Sequence, residues 1–300
     1  FIELMSQHAY LIMAHQHPEQ LRMLMRCLDY KNNDIFLHID AKYKDFDGIK
    51  HQLSAQVRNA KLVVLRNRVD VRWGDFSQIE CELRLLEAAT SESTYSYYHL
   101  LSGADLPLAS QQAIHNYFDE HQGTEFIHFD KHILDRSTYE RVSKYAFFSG
   151  RHKNIIGKTL YRLILTLQIG VDRGRRYGIK YQKGANWFSI TDELARYVVS
   201  QRKEVEHIFK RTRCGDEFML QTIVANSYFK NRIYTPNYCD SYDSIRYCID
   251  WQRGNPYTFR QKDYGALISS GMLFARKFDS DIDQKIIDMI VQFVTKQQEV

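Results

Sequence analysis

The chain is expected to fold as an α/β protein around a mostly parallel sheet. Short apolar runs of strand length, Ala9 to Ala14, Asp34 to Asp40, Lys61 to Leu65 and Tyr97 to Leu101, alternate with stretches of helical spacing. Such alternation is the mark of parallel strands joined by right-handed crossovers. A hydrophobic content of 44% in 300 residues is enough to bury a full core, as one large domain or two small ones. Only 4 Pro and 14 Gly, with no low-complexity tract or internal repeat, argue against a long disordered linker.

The first strand, AYLIMA, is closed by the turn His15-Gln16-His17-Pro18. Glu19 to Leu28 follows as a helix, because Leu21, Leu24, Met25 and Leu28 share one face. DIFLHID is the second strand and ends in Asp40, and Lys61 to Leu65 is the third. Trp73 to Ala89 is a helix with Ile79, Leu83, Leu86 and Ala89 at the required spacing. Tyr97 to Leu101 is the fourth strand and runs into Ser102-Gly103-Ala104-Asp105. Ligands of open α/β sheets bind beyond the carboxyl ends of the strands, and His15, Asp40 and Asp105 fall at that edge. The second half is less regular: a basic, partly helical region, a strand near Asn186 to Ile190, and helices from Thr191 and near Asp216.

The 5 cysteines are odd in number and show no CxxC spacing, which argues against a structural zinc site or a disulfide framework and fits a reducing compartment. No apolar run reaches the roughly 18–20 residues of a spanning helix, and no signal-peptide pattern is present, so a cytoplasmic location is expected. The net charge of +5 is unevenly spread. From Arg141 to Lys183 there are 11 Lys/Arg against one acid, Asp172, a local +10 that leaves −5 for the remainder. Such a surface suits nucleic acid, an anionic membrane face or a pyrophosphate-bearing substrate, and no nucleic-acid-binding motif accompanies it. Within this segment Thr159 to Val171 is apolar and is flanked by Lys153, Lys158, Arg173, Arg175 and Arg176. Leu160, Leu163, Ile164 and Leu167 are expected to form the buried face of a core helix. The alternative is a helix lying in an anionic membrane interface.

The stretch LFARKFDSDID, Leu273 to Asp283, sets Lys277 in an apolar run before Asp279, Asp281 and Asp283. A lysine is rarely buried without a partner, so Lys277 is expected to meet either those aspartates or a bound phosphate. An exposed Arg-Lys pair ahead of a capped helix is the plainer alternative.

With these residues in place the chain resembles the core-2/I-branching enzyme family, which includes β-1,6-N-acetylglucosaminyltransferases and peptide O-xylosyltransferases. The likeness runs from about Tyr10 to Asp283 through AYLIMAHQHPEQL, FLHID, RWGDFSQIE, YYHLLSGADLPL, GANWFSIT, GDEFMLQTI, IRYCIDWQRG and LFARKFDSDID. The order and spacing of these strings carry it, since none is specific alone. It implies a GT-A fold with a single mixed, mostly parallel sheet flanked by helices. One domain over residues 1–300 is expected, with a nucleotide-binding half at about 5–120 and an acceptor-binding, catalytic half at about 121–300. It also implies a UDP-sugar donor, inversion at the anomeric carbon and no metal or other cofactor.

By the same resemblance Glu217 matches the catalytic base, a carboxylate that takes the acceptor hydroxyl's proton. Asp216 beside it reads as a helix cap. Arg253 and Lys277 match the cations that hold the donor diphosphate, with Arg260 as the alternative to Arg253. His15 and Asp40 match positions near the uracil, and Arg72 and Trp73 occupy the matching donor loop. A plain turn role for Asp40 and a structural role for His15 stay open. Trp251 matches an aromatic that contacts the acceptor sugar, with a core tryptophan as the alternative. Glu140, Arg141 and Lys144 resemble the acceptor-binding stretch, and Gly184 and Trp187 lie where a small residue lets backbone approach the donor. Asp70-Val71-Arg72 and His128-Phe129-Asp130 each fall short of an Asp-x-Asp metal motif. The aspartates after Lys277 lie too far along the chain and suit helix capping. The expected protein is a bacterial-type enzyme that transfers a sugar, N-acetylglucosamine foremost, to a glycan or lipid-linked oligosaccharide. It would touch no nucleic acid and would sit in the cytoplasm or against the inner membrane face. A xylosyl- or other-sugar transferase and a catalytically silent glycan- or nucleotide-binding protein are the competing readings.

Overall fold

The computed structural model describes residues 6–146 and 155–298. Its strands are β1 (His8–Ala14), β2 (Asn33–Ile39), β3 (Lys61–Val64), β4 (Tyr97–Ser102), β5 (Asp105–Pro107), β6 (Phe126–Ile127), β7 (Phe188–Thr191), β8 (Tyr247–Ile249) and β9 (Phe274–Arg276). Its helices are α1 (Pro18–Leu28), α2 (Phe46–Gln56), α3 (Ser77–Glu92), α4 (Gln111–Glu120), α5 (Arg136–Ser143) and α6 (Ile155–Leu167), followed by α7 (Arg173–Tyr177), α8 (Asp192–Ser200), α9 (Arg202–Phe209), α10 (Met219–Ala225), α11 (Tyr264–Ile268) and α12 (Ser280–Lys296). The main sheet has the order β3-β2-β1-β4-β7-β6. β1 to β4 are mutually parallel, and β7 runs antiparallel to both its neighbours. This is the mixed, mostly parallel sheet that the sequence implies.

β1 is buried on both faces, and its period of two divides the core. Tyr10 and Ile12 pack with Leu24 of α1, Ile49 of α2, Ile114 of α4 and Ile290 of α12. Ala9 and Leu11 pack with Ile79 and Leu83 of α3 and Leu194 of α8 on the other side. Helices on both faces are what a parallel sheet requires, which explains why its strands are nearly continuous apolar runs.

The structure departs from the sequence reading in several places. A second, three-stranded sheet, β5-β9-β8, joins the expected one. Its strands have 3 residues each, too few for alternation to show. α3 starts at Ser77 rather than Trp73, because Gly74 takes a left-handed φ of +73° and Asp75 accepts the Ser77 N–H at 3.0 Å. The expected buried face of α6 is not buried: Leu160, Leu163 and Leu167 are 48%, 55% and 74% exposed, and only Ile164 is partly covered. Of the cations expected beside α6, Arg175 and Arg176 are exposed, whereas Arg173 is buried and donates to the carbonyls of Val142, His207 and Ile208. Lys153 and the Lys158 side chain lie outside the described residues.

The core holds several neutral titratable groups. His8 stacks on His115 at 3.8 Å, and its Nδ1 lies 3.0 Å from His99 Nε2. Burial pushes all three imidazoles below their usual range. Glu125 goes the other way. It accepts from the Thr191 hydroxyl at 2.6 Å and N–H at 2.9 Å, yet burial outweighs these bonds and raises its carboxyl to about 7. Between about pH 7 and 4.5 the fold therefore keeps a proton on Glu125 that the unfolded chain has released, so this group adds stability as pH falls. Glu125→Gln removes that contribution. Relative to the wild type, its stability should decline on acidification from about pH 7.5 to 5, by up to ~1.4 kcal/mol per pH unit. Urea midpoints across this range measure it, and parallel pH profiles for the two proteins would refute it.

Candidate active site

Glu217 closes a 3-10 turn, Gly215–Glu217, that follows Cys214 in left-handed conformation. Its carboxylate has one oxygen held and one free. Oε2 accepts from Arg141 at 2.8 Å and lies 3.7 Å from Lys183 Nζ, while Oε1 accepts no hydrogen bond from any described residue. Lys183 also binds Asp130 at 2.7 Å, and the Gly184 N–H donates to the Glu217 carbonyl at 2.9 Å. A Cβ on Gly184 would stand 1.8 Å from the His128 carbonyl oxygen. The glycine thus serves the packing of this loop against His128 and the seating of Glu217.

The expected acceptor stretch divides. Arg141 turns toward Glu217, whereas Lys144 pairs with Glu140 at 3.2 Å and donates to the Leu165 carbonyl. Asp216 is no helix cap, since α10 begins at Met219 and the turn aims Asp216 into the protein. There it accepts from Gln78 at 2.9 Å, and burial together with the charge of Glu217 pushes its carboxyl up to about 7.

At the carboxyl edge of the main sheet Asp40 is buried and fills the turn role. It accepts the N–H groups of Lys42 (2.8 Å) and Val71 (3.2 Å) and pairs with the Lys42 ammonium. His15 is exposed and within electrostatic range of Asp40, Lys42 and Arg276. Arg72 forks onto Asp70 at 3.1 and 2.7 Å, and Trp73 beside it is 73% exposed.

The small sheet supplies the cations. Lys277, one residue past β9, is half-buried, and its ammonium has no hydrogen bond or ion pair with any described residue. The aspartates after it do not meet it. Asp279 caps α12 by accepting the Asp281 N–H, Asp283 accepts from Gln261 and Ile286, and Asp281 is exposed. Arg253 lies in the loop after β8, which is β9's parallel neighbour. It pairs with Asp250 and Asp263 and stacks over Tyr257 at 4.0 Å. Arg260 is exposed. Trp251 in the same loop is not a core residue: it is 49% exposed and its ring lies 6.4 Å from Tyr242, which in turn stacks on His128.

Three partners escaped the sequence reading. Arg276 binds the buried Asp105 at 2.7 Å and lies 4.5 Å over Trp187. Lys183 stands behind Glu217, and Gln78 stands behind Asp216. Arg276 has a signal, an arginine next to Lys277 in a chain with an acid at a strand end. The other two have none, because only the fold brings them near.

A sequence profile of the Core-2/I-Branching enzyme matches residues 8–269. The chain belongs to this family. It is a glycosyltransferase, and Glu217, Lys183, Trp251 and Arg253 fall inside the matched range, whereas Arg276 and Lys277 lie just beyond it. No curated protein matches the chain. Among solved structures it is similar to mouse xyloside xylosyltransferase 1 in its apo form, at 10% identity and a TM-score of 0.40, over 90% of this chain and 96% of that one.

In this core-2/I-branching enzyme two groups of acids and histidine among the described residues bring donor atoms together: His17 with Asp279 and Asp281, and His128 with Asp130 and Asp240. Part of each is engaged elsewhere, while His128 Nε2 faces Asp240 at 3.3 Å without a hydrogen bond. Asp279 caps α12, Lys183 binds Asp130, and His128 Nδ1 accepts the Ala185 N–H at 3.0 Å. A groove of about 750 Å³, lined by Arg22, Arg26, Asp29 and Arg58 among others, shares no residue with the site.

Because Gly184 has no room for a side chain, Gly184→Ala should force the loop off His128 and unseat Glu217. The expected cost is ~1–3 kcal/mol, the range for overpacking, read as a lowered thermal midpoint. An unchanged midpoint would mean that the loop has slack.

Proposed function

We propose that this glycosyltransferase moves a sugar, N-acetylglucosamine foremost, from a UDP-sugar to a glycan hydroxyl with inversion and without a metal. Glu217 acts as general base. The observation that carries this reading is the division of labour at its carboxylate. Arg141 fixes Oε2, and Oε1 is free to take the acceptor proton. As Oε1 removes that proton, the acceptor oxygen bonds to the anomeric carbon on the face opposite UDP. The bond from that carbon to the diphosphate oxygen breaks, and its electron pair leaves with UDP. An oxocarbenium-like transition state gains from the nearby carboxylate, and the departing diphosphate from fixed cations.

Lys277 supports the donor end, as a half-buried cation that no described residue neutralises. Arg253 stands in the neighbouring loop, with its fork partly committed to Asp250 and Asp263. The cationic reading is further supported by Asp105, the acid after β4, whose carboxylate is occupied by Arg276. Trp251 and Tyr242 offer aromatic faces for the acceptor sugar, and Tyr242 lies within electrostatic range of Glu217. His15, Asp40, Arg72 and Trp73 border the place for the nucleotide at the strand ends.

In an assay of UDP release from several UDP-sugars with glycan acceptors, Glu217→Gln should lower turnover about 10²- to 10⁴-fold with donor binding intact. Wild-type turnover should persist in chelator. Near-wild-type activity of the variant would remove Glu217 from the role, and loss in chelator reversed by Mn²⁺ would overturn the metal-free reading.

The acceptor we propose is a lipid-linked oligosaccharide of bacterial surface polysaccharide synthesis, met at an anionic membrane face. Among the described residues no helix is long and apolar enough to cross a membrane. α6, however, exposes Leu160, Leu163 and Leu167, followed by Ile169 at 88% and by the exposed cations Arg175, Arg176 and Lys180. The Lys144 bond to the Leu165 carbonyl ties α6 to the end of α5, which carries Arg141. An interface bound there would lie on the acceptor side of Glu217. The enzyme should co-sediment with anionic liposomes at low salt and release at high salt, each exposed cation contributing on the order of 1 kcal/mol. Absence of binding even at low salt would leave the acceptor in solution.

A further inference from the structure

The Glu217 turn is joined to the Trp73 loop by two hydrogen-bonded links that run in opposite directions. The Gly74 carbonyl accepts the Cys214 N–H at 2.9 Å. In return, the Gly74 N–H donates to Gln78 Oε1 at 2.5 Å, and Gln78 Nε2 donates to Asp216 Oδ2 at 2.9 Å. The backbone N–H can only donate, so it fixes which end of the amide faces Gly74 and leaves the NH₂ for Asp216. Asp216 is buried, its Oδ1 has no partner among the described residues, and its backbone leads directly into Glu217. On the far side of the bridge Trp73 is 73% exposed, and Arg72 is held by Asp70, which Lys42 joins to Asp40. A chain of named contacts therefore runs from the strand-end acid Asp40 to Glu217.

We propose that Gln78 is a positioning residue coupling the Arg72-Trp73 loop to Glu217, so that a uridine diphosphate seated against that loop fixes the base. The proposal rests on the donor and base assignments above. A glutamine suits the task because one amide both accepts from Gly74 and donates to a buried carboxyl, leaving neither loop free to shift alone. The opposite-facing Cys214 link closes a ring with it, so a displacement of Gly74 reaches Cys214 and Asp216 together. A nucleotide packing on the exposed indole would restrain residues 72–74, and the bridge would pass that restraint to the turn that aims Glu217. Misplacement of a base by a fraction of an ångström is enough to slow proton transfer.

The experiment is amide hydrogen exchange with and without UDP, paired with steady-state kinetics. In the wild type UDP should slow exchange at residues 70–76 and at 214–218. In Gln78→Ala, UDP should still protect 70–76 and Cys214, whose N–H donates directly to the Gly74 carbonyl, and no longer 216–218, and kcat should fall by up to ~10²-fold with little change in KM for the donor. Gln78→Glu, nearly isosteric, keeps the test open should the alanine variant unfold. Its carboxyl would face Asp216 amid Glu217, Glu82, Cys214 and Arg141, and can bond to Asp216 only when one proton lies between the two. Its activity should therefore recover as pH falls from about 8 to 6, a profile foreign to a merely structural role. Equal protection of 216–218 in wild type and Gln78→Ala, or an unchanged kcat, overturns the coupling and leaves the donor assignment standing. Failure of UDP to protect 70–76 in the wild type overturns the donor assignment and the coupling with it.

Discussion

The pair between Asp105 and Arg276 is the contact on which the rest of the site depends. Asp105 is fully buried just past β4, at the carboxyl edge of the main sheet, and Arg276 ends β9 in the small sheet. β5 and β9 pair antiparallel with Asp105 opposite Arg276, so backbone register and ion pair enforce the same alignment. Burial raises the carboxyl of Asp105, and the guanidinium with the Ser102 N–H draws it back toward the charged form. Removing one partner of such a pair strands a buried charge at a cost of about 3–5 kcal/mol. The consequence is positional: Lys277, the next residue, is carried to the main sheet's ligand edge with its ammonium unpaired. The loop bearing Trp251 and Arg253 follows, since β8 runs parallel to β9 with Ile249 opposite Arg276.

Around Glu217 the charges are gathered from far apart in sequence. Arg141, Lys183 and Glu217 come from α5, from the loop before β7 and from the turn before α10, and the Gly184 bond to the Glu217 carbonyl locks two of these together. Glu217 is partly exposed between two cations, while burial raises the carboxyls of its neighbours Asp216 and Glu82. Adjacent acids are thus separated into one that faces solvent between cations and others that are driven toward the protonated form. The separation comes chiefly from burial, and the charge of a neighbouring acid adds to it.

Much of this was legible in the chain, and the limits have physical causes. β1 to β4 and α1 announce themselves because strands buried on both faces need continuous apolar residues and an amphipathic helix needs a stripe. α2 was missed since only Ile49 and Leu53 of its length are buried, too little for a period to show. The small sheet was missed for its brevity. α6 misled in the opposite sense: Leu160, Leu163 and Leu167 carry the spacing of a core helix, and spacing cannot say whether a protein face or something else covers the stripe. At the site, Lys277 stood out as a cation in an apolar run, whereas the role of Glu217 came from the resemblance. The sorting of Arg141 from Glu140 and Lys144 depends on which side of α5 faces the turn, and Gly184 depends on how closely His128 approaches.

The two halves of the site differ in what holds them, and the difference bears on how it would work. The cations at Lys277 and Arg276 stand at the end of a sheet pinned by backbone pairing, which under the proposed function is a rigid support for a charge that must not move as a diphosphate leaves. Glu217 rests instead on a short turn outside any sheet, held by Arg141 at its carboxylate, Gln78 at its neighbour and isolated backbone bonds from Gly184 to its carbonyl and from Cys214 to Gly74. Isolated bonds of about 1 kcal/mol each permit small readjustment where a continuous backbone ladder does not. On the proposed reading, a base that meets an acceptor hydroxyl of variable position is better served by such a mount, with the fixed element reserved for the leaving group. Rigid cations opposite an adjustable carboxylate are a division of mechanical roles that the topology, with its two sheets meeting at Asp105, makes available.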